Sequence, residues 1–155
     1  MENILLGIFD ILNFGLLVFL WWFTIKHYKL LPQIIPTHFD FDGKADNFGS
    51  KKYSFLMPVV LTVLYFFFAY LVSNPGASNY PVEITEENKN AQFLIMKIFV
   101  RWLLLLISLI FLNSQDYMFR YSRDEEAKPK IAMSSALFSV IGSLIVLFIF
   151  VGIFK

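Results

Sequence analysis

The sequence predicts an all-α protein, an integral membrane four-helix bundle with one long ordered loop between its first two helices. Three observations predict it. Four apolar runs each reach the length needed to cross a bilayer, where about 20 helical residues span a hydrocarbon core of about 30 Å. Hydrophobic residues make up 57% of the chain and charged residues 16%, a balance too apolar for an ordinary soluble domain. Aromatic residues collect at the ends of the runs, as Trp21, Trp22, Phe23, Tyr28, Tyr53, Phe55, Tyr117, Phe119 and Tyr121 do. In a four-span topology all of these fall on one side, forming an aromatic belt.

The runs cover about residues 4–25, 54–72, 93–112 and 133–154, within a single transmembrane domain over 1–155. The first could be mistaken for a cleaved signal peptide. Its start, Met1-Glu2-Asn3, lacks a basic region, and Trp21-Trp22-Phe23 stands where a small-residue cleavage site is needed, so it is retained as a helix. The second carries Tyr65-Phe66-Phe67-Phe68, read as lipid-facing bulk. Before the third, Thr85 is placed to cap a helix with Glu86 and Glu87 in its first turn. The fourth aligns Ser135, Ser139 and Ser143 at i+4 spacing beside Gly142. Small residues at this spacing let helix backbones approach, so they are expected to pack within the bundle, with Gly7 and Gly15 serving helix one similarly. Residues 113–132 read as a polar loop, in which Ser122-x-x-Glu125 could cap a short surface helix.

Lys26, Lys29, Lys44, Lys51 and Lys52 in the first loop, with Arg120, Arg123, Lys128 and Lys130 in the third, outweigh Lys89 and Lys155 opposite. The positive-inside rule places loops one and three in the cytoplasm and both termini outside. Cysteine is absent, which excludes disulfides, thiolate metal sites and thiol lipidation. A net charge of +1 without a basic stripe argues against nucleic acid as a partner.

The loop over 26–53 is the specialised segment. Pro32 and Pro36 bias Gln33 to Ile35 toward extended backbone, and Asp42-Gly43 reads as a tight turn with Gly43 at positive φ. Ile34, Ile35, Phe39, Phe41 and Phe48 alternate with polar residues, so the loop should fold back onto the helix ends. The pattern Leu-Pro-x-x-Ile-Pro-Thr-His-Phe-Asp-x-x-Gly-x-x-Asp-x-x-Gly-x-Lys over Leu31–Lys51 resembles the signature of the "domain of unknown function 1648" family of prokaryotic membrane proteins, which includes the SdpI-type immunity proteins. The layout resembles that family over residues 4–72, with a helix on each side of the motif and Pro58 near the start of the second. The resemblance singles out Pro32, Pro36, His38, Phe39, Asp40, Gly43, Asp46, Gly49 and Lys51, and implies a multi-pass protein of the prokaryotic cell (inner) membrane.

His38, Asp40, Asp42 and Asp46 are candidate metal ligands of a hard-to-borderline kind. Their spacing is not that of an EF-hand, and the simpler reading makes Asp40 and Asp42 turn-forming acceptors; no metal and no cofactor are expected. No nucleophile–base set, HExxH or phosphate loop occurs, so no enzymatic activity is expected.

A second constellation lies inside the runs. Asp10 and Asn13 share a face of helix one, and Lys97 and Arg101 share a face of helix three. Counted from the start of each helix, Asp10 lies about 10 Å in, Lys97 about 9 Å and Arg101 about 15 Å, depths compatible with an ion pair between the two helices. Charges in hydrocarbon cost about 2.5–3.5 kcal/mol each on insertion scales and face a partner or a wet cavity. The alternatives are a helix-pinning pair with Lys97 snorkelling, or a polar pocket or relay. The expected function is non-enzymatic: a membrane protein acting by interaction, through toxin immunity or envelope signalling by resemblance. Its partners would be membrane lipid and another membrane or envelope protein or a peptide toxin. The alternative is a small transporter or permease-like subunit using Asp10, Lys97 and Arg101.

Overall fold

All four apolar runs are helices, and each is long and apolar enough to cross a membrane. The computed structural model describes residues 2–40 and 42–155, with the backbone alone at Met133. The expectations for Met1 and for Phe41 lie outside the described residues. Helix α1 spans Glu2–Tyr28, α2 Leu56–Ser73, α3 Lys89–Tyr121 and α4 Met133–Ile153. The core at mid-bundle joins Leu17 and Leu20 of α1, Leu61 of α2 and Leu104 of α3. Helix α3 is the axis of the molecule, since α1, α2 and α4 each pack against it.

The long first loop is more ordered than an irregular segment. It contains an antiparallel hairpin of β1, Ile34–Phe39, and β2, Ala45–Ser50, followed by a 3-10 turn at Lys51–Phe55 that leads into α2. The Asp42-Gly43 pair turns the chain as expected, with Gly43 at φ 80°. Asp40 and Lys44 close the turn, the Asp40 N–H donating to the Lys44 carbonyl at 2.9 Å.

Helix α3 departs most from its predicted bounds, ending at Tyr121 rather than near residue 112. At about 1.5 Å per residue its 33 residues extend about 50 Å, well beyond a hydrocarbon core. The sequence over 113–121 is polar only in part. Asn113 and Asp116 face the third loop, whereas Ser114, Gln115, Tyr117, Met118 and Phe119 are buried. A helix stripe packed against protein, rather than lipid, explains why this stretch escaped a search for apolar runs. Asn113 exchanges hydrogen bonds with Ile131, and Asp116 pairs with Arg120 at 2.9 Å and Lys130 at 3.1 Å, pinning the third loop to α3. Ser122 does not cap a helix toward Glu125; its hydroxyl donates back to the Met118 carbonyl at 2.7 Å. At the other end, Thr85 and Asn88 bond reciprocally, so Thr85 closes a turn and the helix starts at Lys89 after Asn88.

The small residues do not bring helices together as expected. A Cβ built on Gly7, Gly15 or Gly142 meets nothing within 4 Å. Ser135 and Ser139 are exposed, and their hydroxyls are engaged with their own helix or open space; Ser143 alone among the three reaches α3, accepting from Trp102 Nε1 at 2.8 Å. The reason is the bulk of Phe99, Trp102 and Phe138, which hold α4 off and leave an apolar cleft of about 650 Å³ between α3 and α4. In the run Tyr65–Phe68, Phe66 and Phe67 are exposed, but Tyr65 and Phe68 pack on the core.

Candidate functional site

The hairpin is mounted on the α3 extension. Leu31 and Ile35 are buried against Met118 and Phe119, and Phe39 packs between Tyr117 and Tyr121 with ring centroids at 4.5 and 5.3 Å. The Tyr117 hydroxyl donates to the Gly43 carbonyl, fastening the turn itself. Lys51 lies over the Tyr28 ring at 4.9 Å. Gly49 is needed by space: a Cβ there would stand 3.0 Å from Tyr53 and 3.1 Å from Thr37. Pro36 is buried on the strand, while Pro32 is exposed and sets the approach to β1.

The ladder is irregular where the polar residues sit. Pro36 faces Phe48, His38 faces Asn47 and Phe39 faces Ala45, so an extra residue interrupts each strand near His38. Such bulges re-aim side chains. Here Asp46 is the extra residue of β2, and its carboxylate meets His38 Nδ1 at 2.6 Å. Both side chains are exposed, at 66% and 48%. Asp40 accepts from the Lys44 N–H at 2.8 Å, which is turn chemistry, and Asp42 points to solvent. Among the described residues no three His, Asp or Glu side chains converge as metal ligands would. The four candidate ligands are therefore divided between a pair, a turn and solvent.

The membrane constellation assembles in part. Arg101 donates from Nε to Asp10 Oδ1 at 2.8 Å and from Nη2 to Oδ2 at 3.0 Å, a bidentate pair. Its Nη1 donates to the Lys97 carbonyl at 3.2 Å. Asn13 donates to the Arg101 carbonyl at 3.1 Å. Among the described residues the Lys97 ammonium makes no ion pair with Asp10; Lys97 lines a separate hollow with Glu2 and Asn90 near the helix ends. The cluster lines a cavity of about 340 Å³ bounded by Asp10, Asn13, Tyr65, Phe68, Ala69, Val72, Ser73, Val100, Arg101 and Leu104.

Two buried polar side chains were not singled out from sequence. Gln115 donates to Thr24 Oγ1 at 3.2 Å and to the Ser54 carbonyl at 2.9 Å, joining α1, the 3-10 turn before α2, and α3. Gln92 donates to the Val151 and Phe154 carbonyls at 3.2 and 2.8 Å, holding the C-terminal end of α4. Their only signal was an amide at helical spacing with the apolar stripe, in segments read as loop or as helix start.

Residues 15–70 match the family model described as "Domain of unknown function (DUF1648)". A protein of Archaeoglobus fulgidus, named "Uncharacterized protein", is 35% identical over 52 residues, which are 34% of this chain and 28% of the relative. The chain thus covers well under a third of that relative's length. No solved structure matches. The matched segment holds the second half of α1, the whole hairpin and most of α2. Asp10 and Asn13 precede it and Arg101 follows it.

Proposed function

We propose that this chain, whose residues 15–70 match the domain of unknown function 1648, acts without catalysis, as a prokaryotic inner-membrane protein that works by interaction through its hairpin. One observation supports the reading above others. The hairpin is fixed on its inner face by Tyr117, Met118 and Phe119, yet its outer face leaves Ile34, Phe48 and the His38–Asp46 pair exposed. A fold needs the inner face; the outer one has no packing role. Rigid elements presenting exposed apolar and charge-paired side chains suit recognition of a protein partner. The partner would be another membrane or envelope protein or a peptide toxin, and the role toxin immunity or envelope signalling, as the resemblance implies.

The test is crosslinking from a photoreactive residue placed at Phe48, with Phe66 on the lipid-facing side as control. A discrete adduct from position 48, lost on His38→Ala or Asp46→Ala, is the expected result. Stoichiometric metal in the purified protein, lost on His38→Ala, would replace this reading with metal chemistry at the hairpin.

The transport alternative has the cavity beside Asp10 and Arg101 in its favour. Against it, the Ser108 hydroxyl further along α3 is buried and bonded to its own helix at the Leu104 carbonyl, 2.8 Å away. Loss of flux in Arg101→Gln with expression retained would favour transport.

A further inference from the structure

The Asp10–Arg101 cavity is equipped to take a ligand that donates hydrogen bonds at one end and accepts them at the other. Asn13 is 2% exposed, and while its amide nitrogen donates to the Arg101 carbonyl, its Oδ1 has no partner among the described residues. An unpaired buried acceptor is costly, and its usual remedy is a donor from water or a ligand. Beside it stands the Asp10 carboxylate, whose side chain is 55% exposed and so open to an incoming group. Arg101 supplies the opposite chemistry. Of five guanidinium N–H groups, three are engaged, by Asp10 at two points and by the Lys97 carbonyl at one. The remaining two have no partner among the described residues and could meet an anion.

The cavity's shape says where such a ligand enters. Ser73, the last residue of α2, lies at its rim, and Phe68 and Ala69 lie about one turn deeper. The lining therefore runs from the depth of Asp10 and Arg101 to the last residue of α2, where the chain leaves its apolar run, so a headgroup could reach it from that end. At about 30 Å³ per water-sized group, a volume of 340 Å³ accommodates roughly ten non-hydrogen atoms.

We infer that this cavity binds a primary ammonium carried beside a phosphate, the headgroup chemistry of phosphatidylethanolamine, with the ammonium on Asn13 Oδ1 and Asp10 and the phosphate on the remaining N–H groups of Arg101. A choline headgroup carries three N-methyl groups where ethanolamine has N–H donors, so it is bulkier and cannot satisfy Asn13. Asp10, Asn13 and Arg101, which supply its polar groups, lie outside the residues matched by the family model, while Tyr65, Phe68 and Ala69 of its apolar wall lie within them.

The test compares the full chain in detergent micelles doped with phosphatidylethanolamine or with phosphatidylcholine of the same acyl chains, read by thermal melting. Phosphatidylethanolamine is expected to raise Tm by roughly 3 °C or more over phosphatidylcholine. Soluble phosphoethanolamine, added alone, separates the sources: no shift assigns the site to lipid, and a matching shift assigns the same chemistry to a soluble molecule. Equal melting in the two lipids overturns the proposal and leaves the cavity to water. Asn13→Leu should abolish the lipid difference. Because that variant also loses the bond to Arg101, Ala69→Trp provides a second check, filling the cavity from its α2 wall. A lipid difference that survives Ala69→Trp places the headgroup elsewhere and overturns the site.

Discussion

Removing one charge of the Asp10–Arg101 pair leaves the other without its bidentate partner, on helices read as crossing a membrane. Asp10→Asn or Arg101→Gln alone should therefore lower stability by up to about 2.5–3.5 kcal/mol, the scale of placing a lone charge in hydrocarbon. The double variant should recover part of the loss, because no charge then lacks a partner; a double-variant cycle in detergent measures the coupling. Additive losses would show that the pair is not coupled. Gly43 makes a backbone prediction instead. At φ 80° it occupies the left-handed region, so Gly43→Ala should cost about 1–2 kcal/mol. Both features were legible as residue types at stated positions: charges too deep for lipid, and a glycine after an aspartate between extended segments. The His38–Asp46 contact was not. It depends on the strand pairing, since the register of Ile34 with Ser50, Ile35 with Gly49 and Pro36 with Phe48, carried on along both strands, sets His38 opposite Asp46, and a segment read as a loop with one tight turn specified no such pairing.

Helices and strands divide by what covers them. The lipid-facing lengths of α1, α2 and α4 were legible because an apolar solvent selects unbroken apolar sequence. The α3 extension was hidden because protein covers it, and protein tolerates Gln115 and Ser114 where lipid would not. Gln115 thus belongs to the element rather than to a loop. Gln115→Leu should destabilise by about 1–3 kcal/mol by leaving the buried Ser54 carbonyl without that donor, measured as a lower melting midpoint. The glycines make a matched contrast. Gly49→Ala forces the hairpin off Tyr53 or Thr37 and should loosen β2, detectable as faster amide exchange there. Gly15→Ala meets open space in mid-helix and should be neutral or stabilise by up to about 1 kcal/mol. A destabilised Gly15→Ala would mean that a second helix approaches α1 in the membrane.

At the scale of the whole molecule the four helices alternate in direction. Gln92 at the start of α3 meets the end of α4, and Tyr80 of the second loop stacks on Phe93, while the hairpin sits against Tyr117 and Met118 at the other end of α3. The hairpin and the second loop are thus at opposite ends of one helix of about 50 Å, longer than a bilayer is thick. They should be reached from opposite sides of the membrane. The chain has no cysteine, so single thiols can be introduced without background. Ser50 on β2 and Asn79 in the second loop are both exposed and suit the purpose. In intact cells a membrane-impermeant thiol reagent should label one of Ser50→Cys and Asn79→Cys and spare the other. The lysines and arginines flanking the hairpin predict that Asn79→Cys is labelled and Ser50→Cys protected, which favours signalling through the hairpin over toxin immunity. The reverse pattern keeps the four-span arrangement but turns the hairpin outward, where toxins and envelope proteins are met. Labelling of both sites in sealed cells would mean that the helices do not cross as four alternating spans.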